Sequence, residues 1–253
     1  MLLHSQILGE GKPFIILHGF LGMGDNWKTL GNQFSEDGYE VHLIDQRNHG
    51  RSFHNEAMSY KLMAEDVKAY CDAKGLNDIV LLGHSMGGKT AMQFAIQYPG
   101  IVSKLLVADI APKEYPQHHQ DILKALATLD FTEIKSRGAA EKVLSEYIKD
   151  LGTRQFLLKN LYWKEKEQLA LRMNLPVLAE KIDEIGKALP IDAIFKGETL
   201  FLRGSKSGYI EDMDAILIKK QFPNSEIKTV SKAGHWLHAE NPSEFYEIVK
   251  NFL

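Results

Sequence analysis

The residues that most clearly could carry out chemistry lie in the stretch VLLGHSMGGKTAMQFA, residues 80–95. Its segment GHSMG, residues 83–87, fits G-x-S-x-G, the turn that presents a nucleophilic serine, here Ser85, between a strand and a helix. The overlapping residues 83–90 also fit G-x-x-x-x-G-K-T, a loop whose backbone amides cradle nucleotide phosphates. Both motifs follow a buried strand and begin a helix, so the rest of the chain must decide between them.

Short apolar runs alternate with amphipathic helical patterns along most of the chain. This alternation favours an α/β fold, with a mostly parallel sheet covered by helices on both faces. The first nine residues are a candidate for a short edge strand. Six further runs are predicted strands: FIILHG (14–19), YEVHLID (39–45), DIVLLG (78–83), SKLLVAD (103–109), TLFLRG (199–204) and SEIKTV (225–230).

One interval, residues 112–190, contains no convincing strand pattern. Helical patterns occupy residues 121–129, 139–152 and 177–189 instead. Nearly eighty residues are too many for one crossover connection. We therefore predict an all-helical cap at 112–190, inserted into a core formed by residues 1–111 and 191–253. The alternative is a set of ordinary core helices.

Bulk properties narrow the class of protein. The 253 residues carry a net charge of −3, so no basic face for nucleic acid is expected. The amino terminus lacks a signal-peptide pattern and no run approaches the length of a membrane span, which predicts a cytoplasmic protein. Adjacent His118 and His119 do not form a chelating pair on a helix, so no metal site is predicted. The sequence makes no prediction of oligomeric state.

Two other strand ends favour the serine over the phosphate loop. Lys89, Thr90 and a strand ending at Asp109 would suit a phosphate loop, but that interpretation leaves LHGFLG (17–22) and AGHWLH (233–238) without a role. A nucleophilic serine needs a base downstream, and His235 follows the last predicted strand. It also needs two oxyanion donors, and we predict that these are the backbone amides of Phe20 and Met86.

Four segments together resemble the α/β-hydrolase superfamily over essentially the whole chain: LHGFLGMGDNW, DQRNHGRS, GHSMGGKTAM and GHWLHAENP. With VADIAP, they are most similar to the small bacterial YbfF-type esterases. The resemblance implies an eight-stranded or slightly abbreviated sheet and a helical cap. It also implies cleavage of acyl esters, and of acyl-CoA thioesters as a further option, without a cofactor.

The acid of the triad is not where many superfamily members carry it, in a G-x-x-D turn after the strand that follows the cap. That turn is GSKSG, residues 204–208, and its acid position holds Ser207. Asp109 ends the strand expected beside the nucleophile strand, so we predict that it orients His235. The alternative is a capping or turn role for Asp109. Ser207 is predicted to support the carboxylate or the histidine.

The sequence therefore predicts a serine esterase in which Ser85, His235 and Asp109 form the triad. Leu21, Tyr209 and Trp236 are expected to line an apolar pocket for a small-molecule acyl ester or thioester, with ordinary core packing as the alternative. Two other functions stay open. One is a non-hydrolytic member of the fold, such as a lyase or a small-molecule receptor. The other, more remote, is a nucleotide-binding protein.

Overall fold

The structure, a computed structural model, describes residues 1–117 and 119–253, so His118 lies outside the described residues. Its strands are β1 (Ser5–Leu8), β2 (Lys12–Leu17), β3 (Tyr39–Ile44), β4 (Ile79–His84), β5 (Val102–Ala108), β6 (Leu161–Glu165), β7 (Gln168–Leu171), β8 (Glu198–Gly204) and β9 (Ser225–Val230). Its α-helices are α1 (Lys28–Glu36), α2 (Tyr60–Lys74), α3 (Met86–Gln97), α4 (Gln120–Ala127), α5 (Arg137–Tyr147), α6 (Leu151–Leu158), α7 (Leu175–Glu180), α8 (Ile182–Gly186), α9 (Asp214–Gln221), α10 (Leu237–Glu240) and α11 (Pro242–Phe252).

The main sheet has seven strands in the order β1-β3-β2-β4-β5-β8-β9. Only β1 runs antiparallel to its neighbour, and the other pairs are parallel. The prediction of a mostly parallel α/β sheet is confirmed, in its abbreviated rather than its eight-stranded form. All six predicted strands are present, and the first nine residues supply the edge strand β1.

Alternating side chains on the central strands point into two separate cores. On β4, Leu81 belongs to a cluster with residues of α2 and α3, whereas Leu82 belongs to a cluster with residues of α1 and α11. The carboxyl-terminal parts of the central strands β2, β4 and β5 are buried on both faces, which explains why they are continuous apolar runs rather than alternating ones. Helices therefore cover both sides of the sheet.

The segment between β5 and β8 is not all-helical, so that part of the prediction is wrong. Strands β6 and β7 form a two-stranded antiparallel sheet with Leu161 opposite Leu171. The turn at Lys166-Glu167 places Glu167 at φ 62°, without the glycine or asparagine that marks most tight hairpins. Because the turn is charged rather than glycine-rich, the hairpin left no recognisable pattern.

Two predicted helices of this segment are also interrupted. The pattern at 139–152 divides at Ile148, whose extended backbone ends α5, and Asp150 begins α6 by accepting a hydrogen bond from the Thr153 amide at 2.6 Å. The pattern at 177–189 divides at Lys181 into α7 and α8. A side-chain cap inside an amphipathic pattern thus starts a new helix without disturbing the apolar spacing.

Strand register brings the predicted chemical groups to one edge of the sheet. Leu17 on β2 pairs with Gly83 on β4, and His84 pairs with Ala108 on β5. The residues that follow these strands therefore emerge side by side at their carboxyl ends. This edge is where open α/β sheets bind ligands.

Candidate active site

Ser85 lies in a sharp turn between β4 and α3, with backbone angles φ 52° and ψ −117°. Only small neighbours permit this turn. A Cβ on Gly83 would lie 2.1 Å from the carbonyl oxygen of Gly87, and a Cβ on Gly87 would lie 2.3 Å from that of Leu17. The strained conformation is typical of a nucleophile elbow and leaves the Ser85 side chain half-buried at the edge of the sheet.

The loop after β9 carries His235 to this elbow. Its Nε2 lies 3.0 Å from Oγ of Ser85, within reach for proton transfer. Nε2 of His84 donates a hydrogen bond to the backbone carbonyl of His235 at 2.8 Å. Burial, reinforced by the neighbouring imidazoles, holds the pKa of His84 well below its usual value. Neutral His84, the first variable residue of the G-x-S-x-G motif, thus fixes the loop that carries His235.

Asp109 follows β5 and is fully buried. Its Oδ2 lies 2.8 Å from Nδ1 of His235, and its Oδ1 accepts a hydrogen bond from the Gly204 amide at 3.1 Å. An ionised carboxylate can only accept hydrogen bonds, so Nδ1 of His235 carries the proton. The lone pair of Nε2 is then directed at Ser85. The structure therefore brings all three predicted triad residues together in one hydrogen-bonded line.

Ser207 occupies the position where many family members carry the acid, and it contacts the carboxylate of Asp109. Its Oγ donates to Oδ2 of Asp109 at 2.5 Å and accepts from the Tyr209 amide at 3.2 Å. Beyond this turn, the side chain of Asp212 is 93% exposed and pairs with Arg203 at 2.7 Å. Asp109, and not Asp212, is the carboxylate that contacts His235.

The two predicted oxyanion donors belong to the loop after β2 and to the first turn of α3. Among the described residues, the amides of Phe20 and Met86 have no hydrogen-bond acceptor. His18 and His49 hold the β2 loop: Nε2 of His18 accepts from the Gln46 amide at 3.0 Å, and Nε2 of His49 accepts from the amide after Phe20 at 3.2 Å. Burial lowers the pKa of His18 to about 4 and that of His49 to about 3, so both rings stay neutral acceptors.

Lys89 and Thr90 cannot serve a phosphate loop in this structure. The Lys89 side chain is fully buried and its Nζ donates to the backbone carbonyl of Lys113 at 2.6 Å. The Thr90 hydroxyl donates to the carbonyl of Met86 at 3.1 Å, one turn earlier in α3. Both groups that would contact phosphate and magnesium are engaged with backbone carbonyls, which argues against the nucleotide-binding alternative.

An apolar cavity of about 220 Å³ opens beside Ser85 and His235. The predicted pocket residues Leu21, Tyr209 and Trp236 all line it. The Tyr209 ring also stacks on the His235 ring, with centroids 3.8 Å apart and planes 16° apart. A smaller space of about 20 Å³ touches the other side of Ser85, between Met86 and residues of α8.

Sequence reasoning missed several residues of the cavity wall. His238, three residues after His235, lines the cavity and stacks on Trp27 with ring centroids 4.1 Å apart. Phe156 and Leu157 reach the cavity from α6. Trp27 could have been found from the segment LHGFLGMGDNW, which carries part of the resemblance to the family. No sequence pattern tells which helix of the 112–190 segment faces the site.

Other kinds of site find no support in the part of the chain that the structure describes. There, no three histidine, cysteine or acidic side chains are arranged to hold a metal ion. No described helix combines the length and the apolar character that crossing a bilayer requires.

Comparisons with known proteins identify the class of protein. The model of the α/β-hydrolase fold family matches residues 12–133. The chain is 37% identical over 246 residues to sn-1-specific diacylglycerol lipase ABHD11 of Mus musculus, covering 94% of this chain and 80% of that protein. The chain belongs to the α/β-hydrolase family.

Two further relatives are similar over nearly their whole length. Esterase YbfF of Escherichia coli (strain K12) is 30% identical over 250 residues, which cover 98% of this chain and 96% of that protein. A solved structure described as a marine microorganism esterase is 42% identical and superposes with a TM-score of 0.97, covering both chains completely. The resemblance to YbfF-type esterases predicted from the motifs is confirmed.

Proposed function

We propose that this chain is a serine esterase that hydrolyses carboxylic acyl esters through an acyl-enzyme intermediate. The observation that carries the proposal is the hydrogen-bonded line from Ser85 through His235 to Asp109 beside an apolar cavity. The relatives support the same class of substrate, since their names describe esterases and a diacylglycerol lipase.

In the first half of the reaction, Ser85 Oγ attacks the acyl carbon while Nε2 of His235 takes its proton. Negative charge then develops on the former carbonyl oxygen. The unpaired amides of Phe20 and Met86 are proposed to donate to this oxyanion, and the start of α3 adds the positive end of its helix dipole. Asp109 keeps the proton on Nδ1 and stabilises the imidazolium that forms.

Collapse of the tetrahedral intermediate expels the alcohol, which takes the proton from Nε2 of His235. In the second half, a water molecule replaces the alcohol: His235 removes its proton, the hydroxide attacks the acyl carbon, and Ser85 Oγ leaves with the proton that His235 returns. The products are a carboxylic acid and the free enzyme. These reaction steps use only the three side chains and the two backbone amides of the protein.

Residues 112–190 are proposed to act as the cap over this cavity. The segment supplies an apolar share of the cavity wall, which comes from Ile122, Phe156 and Leu157. An apolar wall favours an acyl chain over a charged substrate because burying a charge without a partner is costly. Thioesters pass through the same type of tetrahedral intermediate, so hydrolysis of acyl-CoA stays a prediction for the same experiment.

A substrate screen tests the proposal. The wild-type protein, Ser85→Ala and a matched control, Ser103→Ala near the amino end of β5, are assayed on p-nitrophenyl esters of increasing chain length and on the corresponding acyl-CoAs. We expect ester turnover by the wild type and Ser103→Ala and none by Ser85→Ala. Absence of turnover by a wild-type protein whose Ser85 still reacts with a fluorophosphonate would favour the lyase or receptor alternative.

A further inference from the structure

Lys89 is a buried amine that the proposed reaction does not use. It lies one turn after Ser85 in α3, with its amide 3.0 Å from the Ser85 carbonyl oxygen. Its Nζ donates to two backbone carbonyls, that of Lys113 at 2.6 Å and that of Lys187. One carbonyl belongs to the segment that leaves β5, and the other belongs to the segment that returns towards β8.

The two segments bound by Lys89 are also paired with each other. We call residues 112–115 and 185–189 the hinge, because they connect the 112–190 segment to the core. The Tyr115 amide donates to the Gly186 carbonyl at 2.8 Å, and the Leu189 amide donates to the Pro112 carbonyl at 3.0 Å. Lys89 therefore attaches both connections, at the point where they meet, to the helix that begins at the nucleophile.

The surroundings of Lys89 are those of a fixed amine rather than a solvated one. Its Nζ lies 5.2 Å from the Tyr115 ring centroid and 5.7 Å from that of Tyr60, whose hydroxyl donates to the hinge carbonyl of Ile185 at 2.7 Å. Burial lowers the pKa of Lys89 to about 7. Removing an ammonium group from water is costly and an apolar side chain would fill the space more cheaply, so specific placement is the better reason for a lysine here.

The hinge also reaches the catalytic histidine. The Tyr115 hydroxyl donates to the Tyr209 carbonyl at 2.5 Å, and the two rings stack with centroids 5.3 Å apart. Tyr209 in turn stacks on His235. A shift of the hinge would therefore move both the wall of the cavity and the ring that packs against His235.

We infer that Lys89 is a positioning residue that holds the hinge against the nucleophile helix and so sets how the 112–190 segment closes over the cavity. Short acyl chains depend little on this closure, because they occupy only the space next to Ser85. Longer chains need the apolar wall that the segment supplies. The kinetic part of this inference rests on the proposed esterase function, whereas the structural part does not.

The test compares Lys89→Met with Lys104→Met. Lys104 is a matched control because its Nζ also donates to a backbone carbonyl, that of Phe252, and lies 4.9 Å from an aromatic ring centroid, but on the core away from the hinge. For Lys89→Met we expect KM for p-nitrophenyl octanoate to rise about tenfold, with kcat and KM for the acetate within about threefold. Hydrogen exchange at the Tyr115 and Leu189 amides should accelerate. Lys104→Met should change neither.

Equal losses on both esters, or wild-type KM for octanoate together with unchanged exchange at the hinge amides, would overturn the inference. If Lys89→Met does not fold, Lys89→Gln is used. Its amide keeps two N–H donors on a side chain that is one bond shorter, so we expect a shift in the same direction. If the wild type hydrolyses no ester, the esterase proposal fails, but exchange at the hinge amides still decides the role of Lys89.

Discussion

The Ser207 hydroxyl lies 2.5 Å from Oδ2 of Asp109, the same oxygen that lies 2.8 Å from Nδ1 of His235. The serine stands where many members of the family carry the acid, and the acid stands one strand closer to the nucleophile. Ser207 and His235 both contact the same carboxylate oxygen. In the proposed mechanism the carboxylate orients the histidine, and the hydroxyl holds the carboxylate.

Asp109 should carry the acid role alone. Asp109→Asn keeps the shape of the side chain but places an amide where Nδ1 of His235 needs an acceptor, which favours the wrong tautomer. We expect kcat to fall by up to ~10⁴, the scale that this change produces in a serine protease. Asp212→Asn should cost less than about tenfold, because that side chain is solvated. Steady-state kinetics with thermal melts of both variants check this, and an inactive but folded Asp212→Asn beside a nearly wild-type Asp109→Asn would reverse the assignment.

Ser207 should have a smaller effect of the same kind. Ser207→Ala removes a hydrogen bond to a charged oxygen while leaving the Gly204 amide and His235 as donors to the carboxylate. The expected loss in kcat lies between about tenfold and a hundredfold, the value of one hydrogen bond to a charged group. Ser205→Ala, two residues away at an exposed position, is the control and should be neutral. Equal activity of the two variants would contradict a supporting role for Ser207.

His238 should make the fold sensitive to acid. Burial, aided by His235, lowers its pKa from 6.5 to about 3, and its buried Nδ1 has no hydrogen-bond partner among the described residues. The native ring stays neutral while the unfolded chain takes up a proton below pH 6.5. The free energy of unfolding therefore falls as the pH drops from about 6.5 towards 3, by up to about 1.4 kcal/mol per pH unit for this one group.

Replacing this ring tests the pH dependence. His238→Phe keeps the stacking on Trp27 but cannot take up the proton. Urea unfolding at several pH values should show a shallower pH dependence for the variant below pH 6.5. Above pH 6.5 the difference between the two proteins should be constant. Parallel curves over the whole range would show that His238 is not held neutral by the fold.

The α/β core could be predicted because its central strands are buried on both faces and because well-formed helices separate the strands. The site could be predicted because each reactive residue follows one of these strands, and the carboxyl ends of parallel strands lie together. Even the contact between Asp109 and His235 could be predicted, since the G-x-x-D turn lacked its aspartate and Asp109 ended a neighbouring strand.

The 112–190 segment could not be predicted to the same degree. Its hairpin turns at Lys166-Glu167 without a turn signature, and Asp150 starts a helix inside a continuous amphipathic pattern. The role of Lys89 was hidden for a different reason. Its partners are the backbone carbonyls of residues 113 and 187. Every residue has a backbone carbonyl, so the sequence does not indicate which ones a buried lysine binds.

The most direct test of the account is the reaction of the intact protein with a fluorophosphonate, followed by mass spectrometry. Ser85 is the one side chain that the proposed mechanism uses as a nucleophile. We therefore expect the mass of a single adduct, located on the peptide that contains the elbow. Ser85→Ala should remain unlabelled while folded. An adduct on another residue, or undiminished labelling of folded Ser85→Ala, would contradict the assignment of Ser85 as the nucleophile.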